Sequence, residues 1–343
     1  RGMLCSEYRL IPREVGTMGI RITCAFTLLV ALIASAGPAV AQSAASFPSR
    51  PIRFIVPLTP GGSPDVMART IAQRLQDVWG QPILVENRTG HGSNIGAEAV
   101  SKSAPDGYTW LLAPNNVMVT NPYFSKMAWD PLKDLAPVTV VAKVPFVLVV
   151  HSSVQANSVK ELIALAKAKP GSLNYGSGGT GQPQHLGGEL FNSLAGTHMV
   201  HVPYKGAVPA VTDLLAGRIQ VWIGAVNTLL QHIKAGSLRV LGAVPAKRYA
   251  SFPDIPTIAE AGLPGFDMDV WLATMVPTGV PADIVAKIQA EISNMLALPE
   301  IKEKLAQQGI EATSSTTAEL ATLIREDYAR YGKLIKDAGI KAD

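Results

Sequence analysis

Two short glycine turns are the parts of this chain best suited to chemistry, and both offer main-chain amides more than reactive side chains. The first is Pro57-Leu58-Thr59-Pro60-Gly61-Gly62-Ser63-Pro64-Asp65; the second is Gly176-Ser177-Gly178-Gly179-Thr180-Gly181-Gln182-Pro183. In each, a strand-like segment runs into glycines and then into a helix start marked by proline. Ser63 is a suitable N-cap, and Pro64 sits where first-turn prolines are favoured. The first N–H groups of a helix have no partner within it and the helix dipole adds partial positive charge there, so an anion is the natural guest. Glycine lets that guest approach the main chain closely. Either turn alone is equally well explained as a tight βα connection. Together, at the carboxyl ends of strands facing one cleft, they can hold a ligand from two sides.

The other candidates are weaker. Gly176, Gly178 and Gly181 also satisfy G-x-G-x-x-G, but the position about 20 residues on, where a dinucleotide site needs an acid, falls at His201 to Lys205 and offers none. Lys205, in Tyr204-Lys205-Gly206 after a strand, is either a cation at a cleft edge or a solvated loop lysine. His185, in the first turn of the second helix, either bonds a ligand oxygen or caps and packs. Asn115 and Asn116 follow another strand and serve as neutral donors or turn formers, while Trp271 fits the core or a cap over the cleft. Asp65 fits dipole stabilisation better than catalysis. His198 and His201, three apart on a strand, point to opposite faces and do not chelate one ion. No H-E-x-x-H, G-x-S-x-G or P-loop lysine occurs, so no catalytic residue, metal or cofactor is expected.

The elements that must position these turns alternate between strand and helix from Ser49 onward, the pattern of parallel sheets covered by helices. Strand character at 52–57, 82–86 and 108–113 alternates with helical spacing at 64–78 and 94–104. The apolar run from Val138 to Val150 is long enough to cross between lobes. Ser158 with Glu161 forms a capping box for the next helix, and strands at 173–175, 198–203, 219–223 and 238–244 build a second sheet. Phe266 to Thr274 reads as the return strand, and amphipathic helices over 282–296 and 317–338 pack back on the first lobe. The expected fold class is α/β, with two Rossmann-like lobes joined by crossing strands: residues 47–142 with 274–343 as lobe 1, and 143–273 as lobe 2.

Of the 343 residues, 1–41 are set apart. Met18 and Arg21 precede an uncharged apolar run ending in Ala39-Val40-Ala41, which reads as a signal peptide over 18–41, with residues before Met18 an upstream extension. Gly37 and Pro38 interrupt the run, leaving it short for a membrane span. Both cysteines, Cys5 and Cys24, precede the expected cut, so no disulfide or thiolate ligand is expected in the mature chain. The leader carries four arginines and two glutamates, so the net charge of +4 falls to +2 on its removal. No dense basic stripe interleaved with aromatics appears, which argues against nucleic acid as a partner.

The ordered motifs Pro60-Gly61-Gly62-Ser63-Pro64-Asp65, Glu86-Asn87-Arg88, Pro105-Asp106-Gly107-Tyr108, Ser177-Gly178-Gly179-Thr180-Gly181, Pro203-Tyr204-Lys205-Gly206 and His232-Ile233-Lys234-Ala235-Gly236 resemble the Bug family, the substrate-binding receptors of tripartite tricarboxylate transporters. The resemblance spans Phe47 to the end of the chain. It implies a periplasmic-binding-protein fold of the Venus flytrap type, working as a monomer in the periplasm and handing a small carboxylate to membrane permease subunits. It also implies ligand contacts from Thr59, Pro60, Gly61, Gly62 and Ser63 in one lobe, and from Ser177, Gly178, Gly179, Thr180, Gly181, His185, Tyr204 and Lys205 in the other. Waters would complete the carboxylate contacts. Gly224-Ala225-Val226-Asn227 stands where many relatives carry an acidic residue, which weighs against an amino-acid ligand. Two other roles stay open: a sensor presenting its liganded form to a membrane kinase, and a secreted enzyme acting on a carboxylate.

Overall fold

The structure, a computed structural model, describes residues 46–340 apart from Ala250 and Ala338. The expected leader, its signal peptide and both cysteines lie outside the described residues. Among those described, no helix is long and apolar enough to cross a membrane.

The chain forms two sheets. The first holds β1 (Ile52–Val56), β2 (Ile83–Asn87), β3 (Thr109–Pro114), β4 (Leu135–Lys143), β10 (Trp271–Pro277) and β11 (Glu311–Ala312), in the order β11-β4-β10-β3-β1-β2. The second holds β5 (Phe146–His151), β6 (Asn174–Ser177), β7 (Val200–Pro203), β8 (Val221–Ala225) and β9 (Leu238–Ala243), in the order β7-β6-β8-β5-β9. In each sheet three parallel strands, β2-β1-β3 and β7-β6-β8, carry the βα turns, and antiparallel strands complete it. The central parallel strands β1, β3 and β8 are mostly buried and apolar, as strands covered on both faces require. β1 keeps Ile52, Phe54, Ile55 and Val56 buried.

Helix α1 (Ser63–Trp79) buries Met67, Ile71 and Leu75 at four-residue spacing and ends at Gly80, whose φ of 65° closes the helix in the left-handed region. Helix α2 (Asn94–Ser101) follows β2, and α3 (Pro183–Ala195), α4 (Ala207–Leu215) and α5 (Val226–Lys234) follow β6, β7 and β8. Helix α6 (Ala282–Ala297) and the long α7 (Thr317–Asp337) return to the first sheet, with Leu320, Ile324, Tyr331 and Ile335 buried. Ser158 accepts from the Glu161 amide as expected, while the Glu161 carboxylate accepts from Asn157, one residue before the cap.

The chain passes between the sheets twice, side by side. The apolar run read as one crossover is β4 and β5, interrupted at Val144-Pro145, where proline supplies no ladder donor. The return strand begins at Trp271 and ends at Pro277, not over 266–274. Its register is fixed by pairing Trp271 with Lys143, and the Val144 amide donates to Val270 O at 2.8 Å. The preceding residues form a connection held from the side: Tyr331 Oη donates to Asp269 O at 2.9 Å, and Trp271 Nε1 to Asp327 Oδ2 at 2.8 Å.

Candidate functional site

The first glycine turn leaves the carboxyl end of β1. Its N-cap is Gly62, with Ser63 the first helical residue and Pro64 the second. Ser63 is therefore not the cap; its hydroxyl instead donates to Asn227 Oδ1, at the start of α5, at 2.8 Å. Asp65 is buried and staples the turn, accepting from the Gly61 amide (3.0 Å), Arg69 Nε (3.0 Å) and Asn87 Nδ2 (3.0 Å). Burial pushes its pKa up, but the hydrogen bonds from Arg69, Gly61 and Asn87 outweigh that and hold it below its ordinary value.

The second turn leaves β6. The Gly179 amide donates to Ser177 Oγ (3.1 Å) and the Gly181 amide to His185 Nδ1 (3.3 Å). Ser177 is buried and its hydroxyl meets His201 Nε2 at 2.6 Å; the His201 ring stacks on Tyr175 and lies 4.4 Å from the His185 ring. Several amides read from sequence as open to a ligand are thus bonded within their own turns. The amides of Gly62, Ser63 and Gly178 donate to no protein group among the described residues.

Two adjoining chambers lie between the turns. The inner one, about 60 Å³, is walled by Leu58, Thr59, Gly62, Ser63, Gly178, Gln182, Gln184 and Thr228, and by Val144, Val270 and Leu272 from the paired crossings. The starts of four helices reach it: Ser63 and Pro64 of α1, Pro183 and Gln184 of α3, Ala207 of α4, and Thr228 of α5. The outer chamber, about 500 Å³, shares Leu58, Thr59, Gly178 and Gln182 and adds Thr89 to Ser93, Gly179, Thr180 and Tyr204 to Gly206. The Tyr204 hydroxyl donates to Asp213 Oδ2 at 2.8 Å; burial first, and then Asp213, push its pKa up to about 12.

Of the residues expected at a site, Thr59, Gly62, Ser63, Gly178, Gly179, Thr180, Tyr204 and Lys205 line one chamber or both. Pro60, Gly61, Asn115, Ser177, Gly181 and His185 line neither. Asn115 is buried at the return strand, its amide donating to Trp271 O and its Nδ2 to Asp269 O. Sequence reasoning missed Gln182, Gln184 and the loop from Thr89 to Ser93. The signal for that loop was present, as Gly90-His91-Gly92-Ser93 runs straight into α2.

The two halves touch directly around the chambers. Gln182 Nε2 donates to Ser93 Oγ at 2.9 Å with both residues buried, Thr120 Oγ1 donates to Gly181 O at 3.2 Å, and the Ser63–Asn227 bond crosses on the other side. At Gly92, φ 59°, a Cβ would stand 2.6 Å from Thr180 O. The cleft is closed.

Residues 67–340 match the family described as the tripartite tricarboxylate transporter family receptor. The chain is 39% identical over 311 residues to Protein BugT of Bordetella pertussis, covering 90% of this chain and 95% of that one. Among solved structures it is similar to R. palustris Rpa4515 with adipate (35% identity, TM-score 0.83, 87% of this chain and 100% of that one). It is also similar to MatC from Rhodopseudomonas palustris with bound malate (28%, TM-score 0.80, 84% and 100%). The periplasmic binding protein BugD aligns at 28% identity and TM-score 0.81, over 87% of this chain and all of BugD. The α/β architecture of two sheets joined by crossing strands is the periplasmic-binding-protein fold of these structures.

Proposed function

Because the chain belongs to the tripartite tricarboxylate transporter family of receptors, we propose that it is an exported solute receptor that binds a small carboxylate between two lobes and hands it to the permease subunits of a tripartite transporter. The observation that carries this reading is the convergence of four helix starts on the inner chamber, with the Gly62, Ser63 and Gly178 amides unpaired there. Each helix start brings partial positive charge, and the mostly apolar walls keep that field unscreened. The chamber is large enough to admit a carboxylate group together with bridging water. The ligand's body then extends into the outer chamber. The bound adipate and malate of the two similar structures support a carboxylate as the guest.

The lobes are 47–142 with 274–343, and 143–273; strand membership of the two sheets supports this division, except that Lys143 and Trp271–Ala273 stand on the first sheet's side of the crossings. The receptor acts in the periplasm as a monomer, reaches it through its signal peptide, and needs no cofactor. Binding without turnover is favoured over secreted-enzyme chemistry. Among the described residues two serine–histidine pairs are in hydrogen-bond contact: Ser177, paired with His201, is fully buried, already accepts the Gly179 amide and lines neither chamber, and the exposed Ser153–His151 pair also lies outside both chambers.

Calorimetric titration of the mature protein against mono- and dicarboxylates tests this. Saturable binding of at least one carboxylate, with the compound recovered unchanged by mass spectrometry, is expected. Binding confined to neutral compounds, or conversion of the carboxylate, would overturn it.

A further inference from the structure

The loop Gly90-His91-Gly92-Ser93 has positive φ at every residue (128°, 47°, 59° and 81°), and His91 and Ser93 are the only non-glycine residues with positive φ among those described. Such a curl costs energy in side-chain-bearing residues and persists where the surroundings hold it. Here they do: Ser93 is bonded to Gln182 of the opposite lobe, and Gly92 packs on Thr180 O. The hold brings His91 to the wall of the outer chamber, to which the second lobe contributes Lys205. Among the described residues these are the only two lining the chamber whose side chains can carry positive charge. No Asp or Glu among the described residues lines this chamber, and the Tyr204 hydroxyl is committed to Asp213. The side chains of His91 and Lys205 make no hydrogen bond or ion pair among the described residues.

We propose that His91 and Lys205 are the specificity-determining pair for the outer end of the ligand, selecting molecules that carry a second anionic group over those ending in a hydrocarbon. This rests on the receptor reading above and adds the assignment of the outer chamber. A ligand whose first carboxylate occupies the inner chamber presents its far end between the two side chains once the lobes close. A second carboxylate accepts charge-assisted hydrogen bonds from both, whereas a methyl end leaves them to water. Because His91 reaches the chamber only through the interlobe hold on its loop, the selection is exercised in the closed form.

The test is calorimetry on the full mature chain with saturated dicarboxylates from succinate to adipate, each paired with the monocarboxylate of equal carbon number. The proteins are wild type, His91→Asn and Lys205→Met. Asparagine tolerates left-handed backbone and methionine keeps an apolar stem, so both variants are expected to fold, with melting temperatures near wild type as the check. Wild type should prefer the dicarboxylate of its best pair by about tenfold or more. Each variant should lose most of that preference, through a fall in dicarboxylate affinity several-fold larger than any change in its monocarboxylate affinity. Equal affinities within every pair for wild type, or a preference retained in both variants, overturns the inference and leaves the receptor reading standing. Failure of wild type to bind any member of either series overturns the inference too, whereas the receptor reading falls only if a wider panel that includes hydroxylated and tricarboxylic acids also fails to bind.

Discussion

Replacing Gly92 with alanine separates the closed form from the fold, because its two costs fall on different states. Alanine at φ 59° pays for left-handed backbone, about 1–2 kcal/mol whether the cleft is open or closed. The second cost arises only on closure. The new Cβ would stand 2.6 Å from Thr180 O, so the two loops must part by at least 0.4 Å to reach the 3.0 Å below which real contacts essentially never fall. That movement strains the adjacent Gln182–Ser93 bond, whose partners are both buried. Leaving a buried polar pair unmet costs about 1–3 kcal/mol, which corresponds to a loss of ligand affinity of about 5- to 150-fold when binding is linked to closure. Gly80 is the matched control: its φ is 65° and nothing lies within 4 Å of its Cβ position, so Gly80→Ala carries the backbone cost alone. Thermal unfolding and calorimetric titration with a bound carboxylate are the assays. Both variants should melt a few degrees low, and only Gly92→Ala should bind markedly more weakly. Equal dissociation constants for the two variants would refute the reasoning, since the loops would then not meet in the liganded form.

Three further perturbations check other parts of the account. Asp65→Asn should lower stability by about 1–3 kcal/mol. The folded pKa of Asp65 lies below its ordinary value, so its contribution is full above the ordinary carboxylate range and fades as pH falls through the folded value; melts across pH 2 to 7 should therefore show a smaller acid loss in the variant. Ser63→Ala and Asn227→Ala, combined in a double-mutant cycle on ligand affinity, should couple by about 0.5–1.5 kcal/mol, and strictly additive effects would show that their 2.8 Å bond does not support closure. Trp271→Phe removes the Nε1 donor to buried Asp327 and should cost about 1–3 kcal/mol in urea unfolding, with Arg330 retaining the rest of that carboxylate's bonding.

The fold was largely legible because its cues are local. Buried parallel strands such as Ile52–Val56, the four-residue spacing of Met67, Ile71 and Leu75, and the proline that starts the helix after each glycine turn are all read within a few positions of one another. Both glycine turns were visible for the same reason. The bonding of their amides was open to the same kind of reading, since Gly61 with Asp65 and Gly181 with His185 are four residues apart, but a turn's glycines advertise free donors more loudly than its acceptors. The rest depends on contacts distant in sequence. Ser63 meets Asn227 across 164 positions, Gln182 meets Ser93 across 89, and the inner chamber is floored by Val144 and Val270 from two crossings that only the folded register brings together. Asn115 shows the converse: the end of a strand is a natural place for a ligand donor, yet here it holds the return strand.

The central claim is that helix-start amides grip one carboxylate in the inner chamber. A crystal structure of the protein with a calorimetrically verified carboxylate measures it directly. The account expects carboxylate oxygens at hydrogen-bond distance, about 3 Å, from the amides of Gly62, Ser63 and Gly178, directly or through one water. A carboxylate seated only against Lys205 and His91, with the inner chamber filled by the ligand's hydrocarbon, would contradict it.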